Sequence, residues 1–189
     1  MTERGPYHQT LTGRLWYPYD PRPEEVHFRD LLAIKNVCRF GGHVMDGLWY
    51  SNLDHSLRVA ELLEAWDQPS HVVLQGAGHD LHEAYPPGDQ IGPIIRTNHP
   101  YAMEASGLSR MAANAVRTKL GLPLHLSQRV KLADTILLAT ERRDIMAPSD
   151  VDWGALPDPL PETITPRSIT DVELRFLQLI QKHGATWAR

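Results

Sequence analysis

Residues 76–83 read Gly-Ala-Gly-His-Asp-Leu-His-Glu, in which three small residues precede two histidines and two acids. An apolar run precedes it and Pro86-Pro87 follows it. Because a proline pair cannot continue a helix, the pattern predicts one central helix over residues 71–85. Residues three and four apart share a helical face, so His79 is expected to lie beside the second histidine and the glutamate.

Helical patterns flank this segment on both sides, and we find no strand signal. The small residues before His79 would let another helix, or an ion, approach the backbone. Further helices are predicted at Glu24–Val37, from Ser51 or Asn52 to about Trp66, at about 101–120, at about 127–145, and from a Thr170–Glu173 capping box to Gly184. The predicted fold class is all-α.

The length of 189 residues suits one domain, and we expect residues 1–189 to form it. Residues 1–23 are Pro-rich and predict an extended N-terminal arm, pinned to the body by an apolar Leu-Trp-Tyr run. Residues 147–167 hold five prolines and predict a strap without regular structure. Residues 168–189 then supply a C-terminal helix.

Composition limits the possible partners. A net charge of −4 and a pI near 6.2 give no overall basic field, so we expect no nucleic-acid partner. The single cysteine, Cys38, cannot form an intramolecular disulfide, which favours a cytoplasmic protein. No uninterrupted apolar run approaches about 18 residues, so we expect no membrane span.

Histidines beside carboxylates indicate a metal site. Besides His79 and Asp80, the candidates are His55, on a helix that is otherwise apolar, and Asp134, within an apolar run. A carboxylate in such a run is costly to bury unless it is paired or bound to metal. Two imidazoles and two carboxylates suit Mn, Fe, Co, Ni, Zn or Mg and do not select one of them.

The order His … His-Asp … Asp resembles the signature of the HD-domain metal-dependent phosphohydrolases. The similarity extends over roughly residues 12–146, through Cys38–His43, Tyr50–Ser56, Gly78–Tyr85, Gly88-Asp89, Val130–Asp134 and Glu141–Asp144. It looks like the branch that holds the YfbR-type 5′-deoxynucleotidases and the small phage dATP triphosphohydrolases of the DatZ type. The resemblance implies an HD-domain helical bundle.

The resemblance also implies roles for individual residues. The implied ligands of a divalent metal ion (Zn, Co, Mn or Mg) are His55, His79, Asp80 and Asp134, and Asp80 also counts as catalytic. Glu83 matches the acidic residue that orients or deprotonates the attacking water. Arg39 and Lys131 match phosphate-binding positions, with Arg96 as a third. Phe40 stands where an aromatic ring can press on the sugar or base.

Each candidate also has a structural interpretation that the sequence leaves open. His55 alone fits a hydrogen-bonded core histidine, and Asp134 could pair with Lys131 or a neighbouring arginine. The stretch from His79 to Glu83 could be a solvated helix face. The sequence does not decide whether Asp89 or His43 takes part in catalysis.

The expected function is hydrolysis of a deoxynucleotide phosphate, with dATP or another dNTP as the preferred substrate. One alternative is a 5′-deoxynucleotidase that acts on dNMPs. Another is a catalytically inactive HD module that binds a nucleotide without cleaving it. The resemblance further suggests a homo-oligomer, with the strap at 147–167 as a possible interface.

Overall fold

A computed structural model describes residues 4–89 and 97–187 of the chain, and it is mostly helical in these ranges. The α-helices are α1 (Phe28–Leu31), α2 (Asn52–Ala65), α3 (Ser70–Gly78), α4 (Pro100–Leu120), α5 (Gln128–Asp144) and α6 (Ile169–Lys182). Short 3₁₀ helices lie at Pro23–Glu25, Leu32–Asn36, Arg39–Gly42 and Leu81–Ala84. Predominantly helical structure confirms the predicted class.

Helix α2 is the centre of the core and packs against α3, α5 and α6. Five of its apolar side chains are fully buried: Leu53, Leu57, Val59, Ala60 and Leu63. Its approach to α3 is close, because a Cβ placed on Gly76 would lie 2.4 Å from Leu63 Cδ1. The small residue predicted to permit close helix packing does so here.

The predicted helix 71–85 is wrong in its second half. Helix α3 ends at Gly78, Asp80 leaves the helical region (φ −111°, ψ 5°), and a 3₁₀ helix follows. The carbonyl of His79 accepts a hydrogen bond from Arg117 Nη2 (3.2 Å), which compensates for a missing helical partner. His79, His82 and Glu83 therefore do not share one face of a continuous helix.

Two further helices differ from the predictions. The expected helix at 24–37 is divided into α1 and two 3₁₀ pieces, because the backbone is extended at Val26 and His27. The last helix is capped by Ser168, whose hydroxyl accepts from the Asp171 amide (3.1 Å), and not by Thr170.

The N-terminal arm contains strands that the sequence did not predict. Strands β1 (His8–Gln9) and β2 (Leu15–Trp16) pair antiparallel and form a small hairpin. Trp16 is 1% exposed and its ring stacks on Tyr85 at 3.9 Å between centroids. Thr12 donates from its amide and hydroxyl to the Asp30 carboxylate (2.7 and 2.8 Å). The hairpin is thus attached beside the segment that follows α3.

Residues 147–167 contain no helix or strand. Arg143 donates to the carbonyls of Leu160 (2.6 Å) and Glu162 (2.9 Å), and Arg58 donates to the carbonyl of Thr165 (2.6 Å). These arginines on α5 and α2 hold the strap against the helices. Among the helices in the described ranges, none has the length and apolar character needed to cross a membrane.

Replacing Trp16 by alanine tests the attachment of the hairpin. Because the ring is buried and stacked, we expect Trp16→Ala to lower the free energy of unfolding by about 3–5 kcal/mol. Trp49→Ala is the matched control, since Trp49 is 46% exposed, and its effect should stay within about 0.5 kcal/mol. Urea titrations followed by circular dichroism measure both, and equal small effects would contradict the packing described.

Candidate metal centre

Two histidines present the same ring nitrogen to one point. Nδ1 of His79 lies 2.7 Å from the carbonyl oxygen of Gly76, which can only accept, so this nitrogen donates. Nδ1 of His55 lies 2.5 Å from Oε1 of Glu141. Each bond fixes its ring and leaves Nε2 to face inward, the arrangement that metal-binding histidines show.

The two inward nitrogens meet two carboxylates. Oδ2 of Asp80 lies 3.0 Å from His79 Nε2 and 3.8 Å from His55 Nε2. Oδ1 of Asp134 lies 3.1 Å from His55 Nε2 and 3.9 Å from His79 Nε2. Four residues from α2, α5 and the end of α3 thus converge, although they are far apart in sequence.

The donor set fits a metal ion. Candidate ligand atoms of His55, His79 and Asp80 all lie within 4.8 Å of one another, so this group can hold a cation. Both buried Nε2 atoms lack a hydrogen-bond partner of good geometry in the described part of the chain. An unsatisfied buried nitrogen is costly, and coordination to a cation would satisfy it.

The charges around His55 also favour a cation. Burial lowers the pKa of His55 and so does Arg39, but the Glu141 and Asp134 carboxylates outweigh them and raise it to about 9. The pKa of Asp80 lies below its usual range although burial opposes this, because His79 and His55 are adjacent. A metal ion bound at Nε2 would replace the proton that the carboxylates favour.

Local structure explains how these side chains are delivered. The Ser51 hydroxyl caps α2 by accepting from the Asp54 amide (3.1 Å), which places His55 in the first turns of a well-defined helix. His79 and Asp80 follow the last residue of α3. The Asp134 side chain is 37% exposed, whereas His55 and His79 are almost fully buried, so Asp134 lies at the open side of the group.

Arg39 lies beside the same centre. Its Nε donates to Glu141 Oε2 (2.8 Å), and its Nη1 is 3.9 Å from Asp80 Oδ2. The guanidinium also lies 5.2 Å from the ring centroid of Phe40. Phe40 has a positive φ of 57°, and its ring meets Trp153 of the strap edge-on at 6.2 Å. Of the residues predicted to contact substrate, Arg39 therefore lies next to a candidate ligand, and Phe40 lies next to Arg39.

Glu83 is held by an amide. Nδ2 of Asn52 donates to Glu83 Oε2 (2.7 Å). Burial raises the pKa of Glu83 well above its usual value, and the nearby carboxylates of Asp80 and Asp89 raise it further. Burial likewise raises the pKa of Asp89. The carboxylate of Asp80 raises the pKa of both acids. Each therefore favours its protonated form when no cation is present.

The other predicted residues are less closely associated with the centre. Lys131 is exposed on α5, one turn before Asp134, and Asp134 forms no ion pair with it. His43 is exposed, and His82 Nε2 is directed to the hydroxyl of Ser109 (3.2 Å). Arg96 lies outside the described residues.

Glu141 is a residue that the sequence analysis did not assign to the site. It is fully buried, and it accepts hydrogen bonds from Arg39, Tyr50 and His55. Burial raises its pKa, but Arg39 and His55 outweigh that effect and lower it to about 2. Glu141 lies seven residues after Asp134, hence on the same face of α5, and that spacing was the available signal.

Two histidines in one segment provide a test of the metal site. We expect His79→Ala to abolish Co²⁺ binding, because it removes an inward Nε2, and His82→Ala to retain it. Elemental analysis after dialysis against Co²⁺ measures the bound metal. Co²⁺ should also raise the melting temperature of the unmodified protein and of His82→Ala, since a bound ligand stabilises the folded state. Equal Co²⁺ content in the two variants would contradict the geometry.

Comparison with known proteins gives one family relationship. No family model matches the chain. The chain is 30% identical over 149 residues to "Uncharacterized protein YfdR" of Escherichia coli (strain K12), and the aligned part covers 78% of this chain and 77% of YfdR. Similarity at this level over most of both chains shows common family membership. The chain therefore belongs to the same family as YfdR of Escherichia coli.

Proposed function

We propose that the protein is a divalent-metal-dependent phosphohydrolase of the HD-domain type that acts on deoxynucleotides, with dATP or another dNTP as substrate. The observation that supports this most is the convergence of two imidazole Nε2 atoms and two carboxylates at 3.0–3.9 Å. A guanidinium and a buried carboxylic acid lie beside them. This combination of groups is suited to the hydrolysis of a phosphate ester.

The residues that would hold the metal are His55, His79, Asp80 and Asp134. A divalent ion bound there would lower the pKa of a water molecule and neutralise charge on phosphoryl oxygens. The mixed nitrogen and oxygen donors are compatible with Zn, Co, Mn or Mg and do not distinguish among them.

The chain's own groups account for the remaining requirements. Arg39, a permanent cation beside the centre, would bind a phosphoryl oxygen and stabilise the charge that develops on it. Glu83 would accept a proton from the attacking water, whose oxygen forms a bond to the α-phosphorus. The bond from that phosphorus to the sugar O5′ breaks, and O5′ takes up a proton. Burial and the neighbouring carboxylates raise the pKa of Glu83 above its usual value, which makes its carboxylate a stronger proton acceptor.

The length of the phosphate chain distinguishes the main proposal from its alternative. A 5′-deoxynucleotidase would break the same kind of bond in a dNMP. The longer substrate is proposed because Lys131, exposed on α5 one turn before Asp134, would bind phosphates beyond the first. An inactive nucleotide-binding module would not require Glu83 to be held beside the centre by Asn52.

A nucleotide panel with identified products tests the proposal. The unmodified protein with Co²⁺, Mn²⁺, Mg²⁺ or Zn²⁺ should convert dATP to deoxyadenosine and triphosphate. Orthophosphate released from dNMPs would instead support the nucleotidase. Nucleotide binding by calorimetry without any product would support the inactive module, and neither binding nor hydrolysis would refute all three. Asp80→Ala should abolish the reaction because it removes a ligand.

Glu83 can be tested with an isosteric variant. We expect Glu83→Gln to lower kcat by about 10²–10⁴-fold, because glutamine cannot accept the proton, while Co²⁺ binding is retained. Glu162→Gln is the control. It makes the same substitution at an exposed residue of the strap and should keep full activity. A Glu83→Gln enzyme with unchanged kcat would exclude Glu83 as the general base.

A further inference from the structure

Glu141 connects two parts of the site that have different tasks. Its Oε1 lies 2.5 Å from Nδ1 of His55 and also accepts from the Tyr50 hydroxyl (2.8 Å). Its Oε2 accepts from Nε of Arg39 (2.8 Å). One fully buried carboxylate therefore binds a candidate metal ligand through one oxygen and the cation beside the centre through the other.

The surroundings show that this is more than an isolated buried ion pair. Arg39 comes from the 3₁₀ helix Arg39–Gly42, His55 from α2 and Glu141 from α5, so the carboxylate joins three separate elements. The Arg39 side chain is only 10% exposed, and those of His55 and Glu141 are not exposed at all. Hydrogen bonds between buried charged groups have fixed geometry, because water cannot substitute for a displaced partner.

We infer that Glu141 is a positioning residue that orients His55 for metal binding and holds Arg39 toward the same centre. By accepting from Nδ1, the carboxylate fixes the tautomer in which Nε2 has a free lone pair, and it increases the basicity of the ring. By accepting from Nε of Arg39, it leaves the two terminal nitrogens of the guanidinium available to other groups. The second task bears on substrate only if the proposed function holds.

Tyr50 provides a matched comparison. Its hydroxyl donates to the same Oε1 that binds His55, and not to Asp80 or Asp134, in the described structure. Tyr50→Phe removes one hydrogen bond from Glu141 and leaves its charge and its two other partners. Glu141→Gln keeps the size of the side chain and removes its charge. Comparing the two variants distinguishes the effect of losing one buried hydrogen bond from the effect of losing the negative charge of Glu141.

Metal affinity is the first measurement, and it does not depend on hydrolysis. We expect Glu141→Gln to weaken Co²⁺ binding by about 10–100-fold, as found when carboxylates behind ligating histidines are removed, and to alter the visible spectrum of bound Co²⁺. Tyr50→Phe should change the affinity by less than about tenfold and keep the spectrum. Chelator competition gives the dissociation constants, and thermal unfolding without metal shows that each variant is folded.

Binding of inorganic triphosphate to the Zn²⁺-loaded protein tests the second part of the inference, that Glu141 holds Arg39 toward the centre. Glu141→Gln should weaken it more than Tyr50→Phe does, because only the first variant removes the charge that holds the guanidinium. Unchanged Co²⁺ affinity and spectrum in folded Glu141→Gln would overturn the inference, and so would absence of Co²⁺ binding by the unmodified protein. Metal binding that responds to Glu141→Gln without nucleotide hydrolysis would refute only the proposed function.

A measurement on the unmodified protein covers the case in which Glu141→Gln does not fold. In the Zn²⁺-loaded protein, nitrogen-15 NMR of the histidine rings should show a proton on Nδ1 of His55 that exchanges slowly with water. A His55 ring protonated on Nε2 instead would overturn the inference. The signal of His43, which is exposed, provides the comparison for an unconstrained ring.

Discussion

The site depends on an excess of negative charge in a place from which water is largely excluded. Asp80, Asp134, Glu83 and Glu141 lie around two imidazoles, and Arg39 is the permanent cation beside them. Burying like charges together is unfavourable unless a positive charge compensates. The protein partly meets this condition with Arg39 and with raised pKa values for His55 and Glu83, which favour a bound proton on each. A divalent cation would meet it more completely, and the two inward nitrogens are oriented to receive one.

The helical framework makes this concentration of charge possible. Helix α2 approaches α3 closely at Gly76, where a larger residue would overlap Leu63, and this closeness brings His55 and His79 to ring centroids 5.3 Å apart. The carbonyl of Gly76 then fixes the ring of His79. The same glycine thus permits the helix contact and orients one of the candidate ligands.

Much of this arrangement could be predicted from the sequence, and the exceptions have physical causes. Helices α2, α4 and α5 follow from their apolar periodicity and flanking signals. The break after Gly78 does not, because the group that binds the carbonyl of His79 there is an arginine 38 residues away in the sequence. The hairpin was missed because its strands have two residues each, too short for a periodic signal. Glu141 was missed because its spacing from Asp134 places it on the same face of α5 but does not show that its side chain is buried or which groups it binds.

The backbone of Phe40 has a consequence for the evolution of this site. A residue other than glycine rarely adopts a φ of 57°, and holding Phe40 in this conformation costs about 1–2 kcal/mol. Glycine at residue 40 would relieve that cost but would remove the ring beside Arg39 and Trp153. Selection for thermal robustness alone would therefore favour loss of the ring. Persistence of an aromatic residue at this position among relatives would indicate selection for binding, exerted against stability.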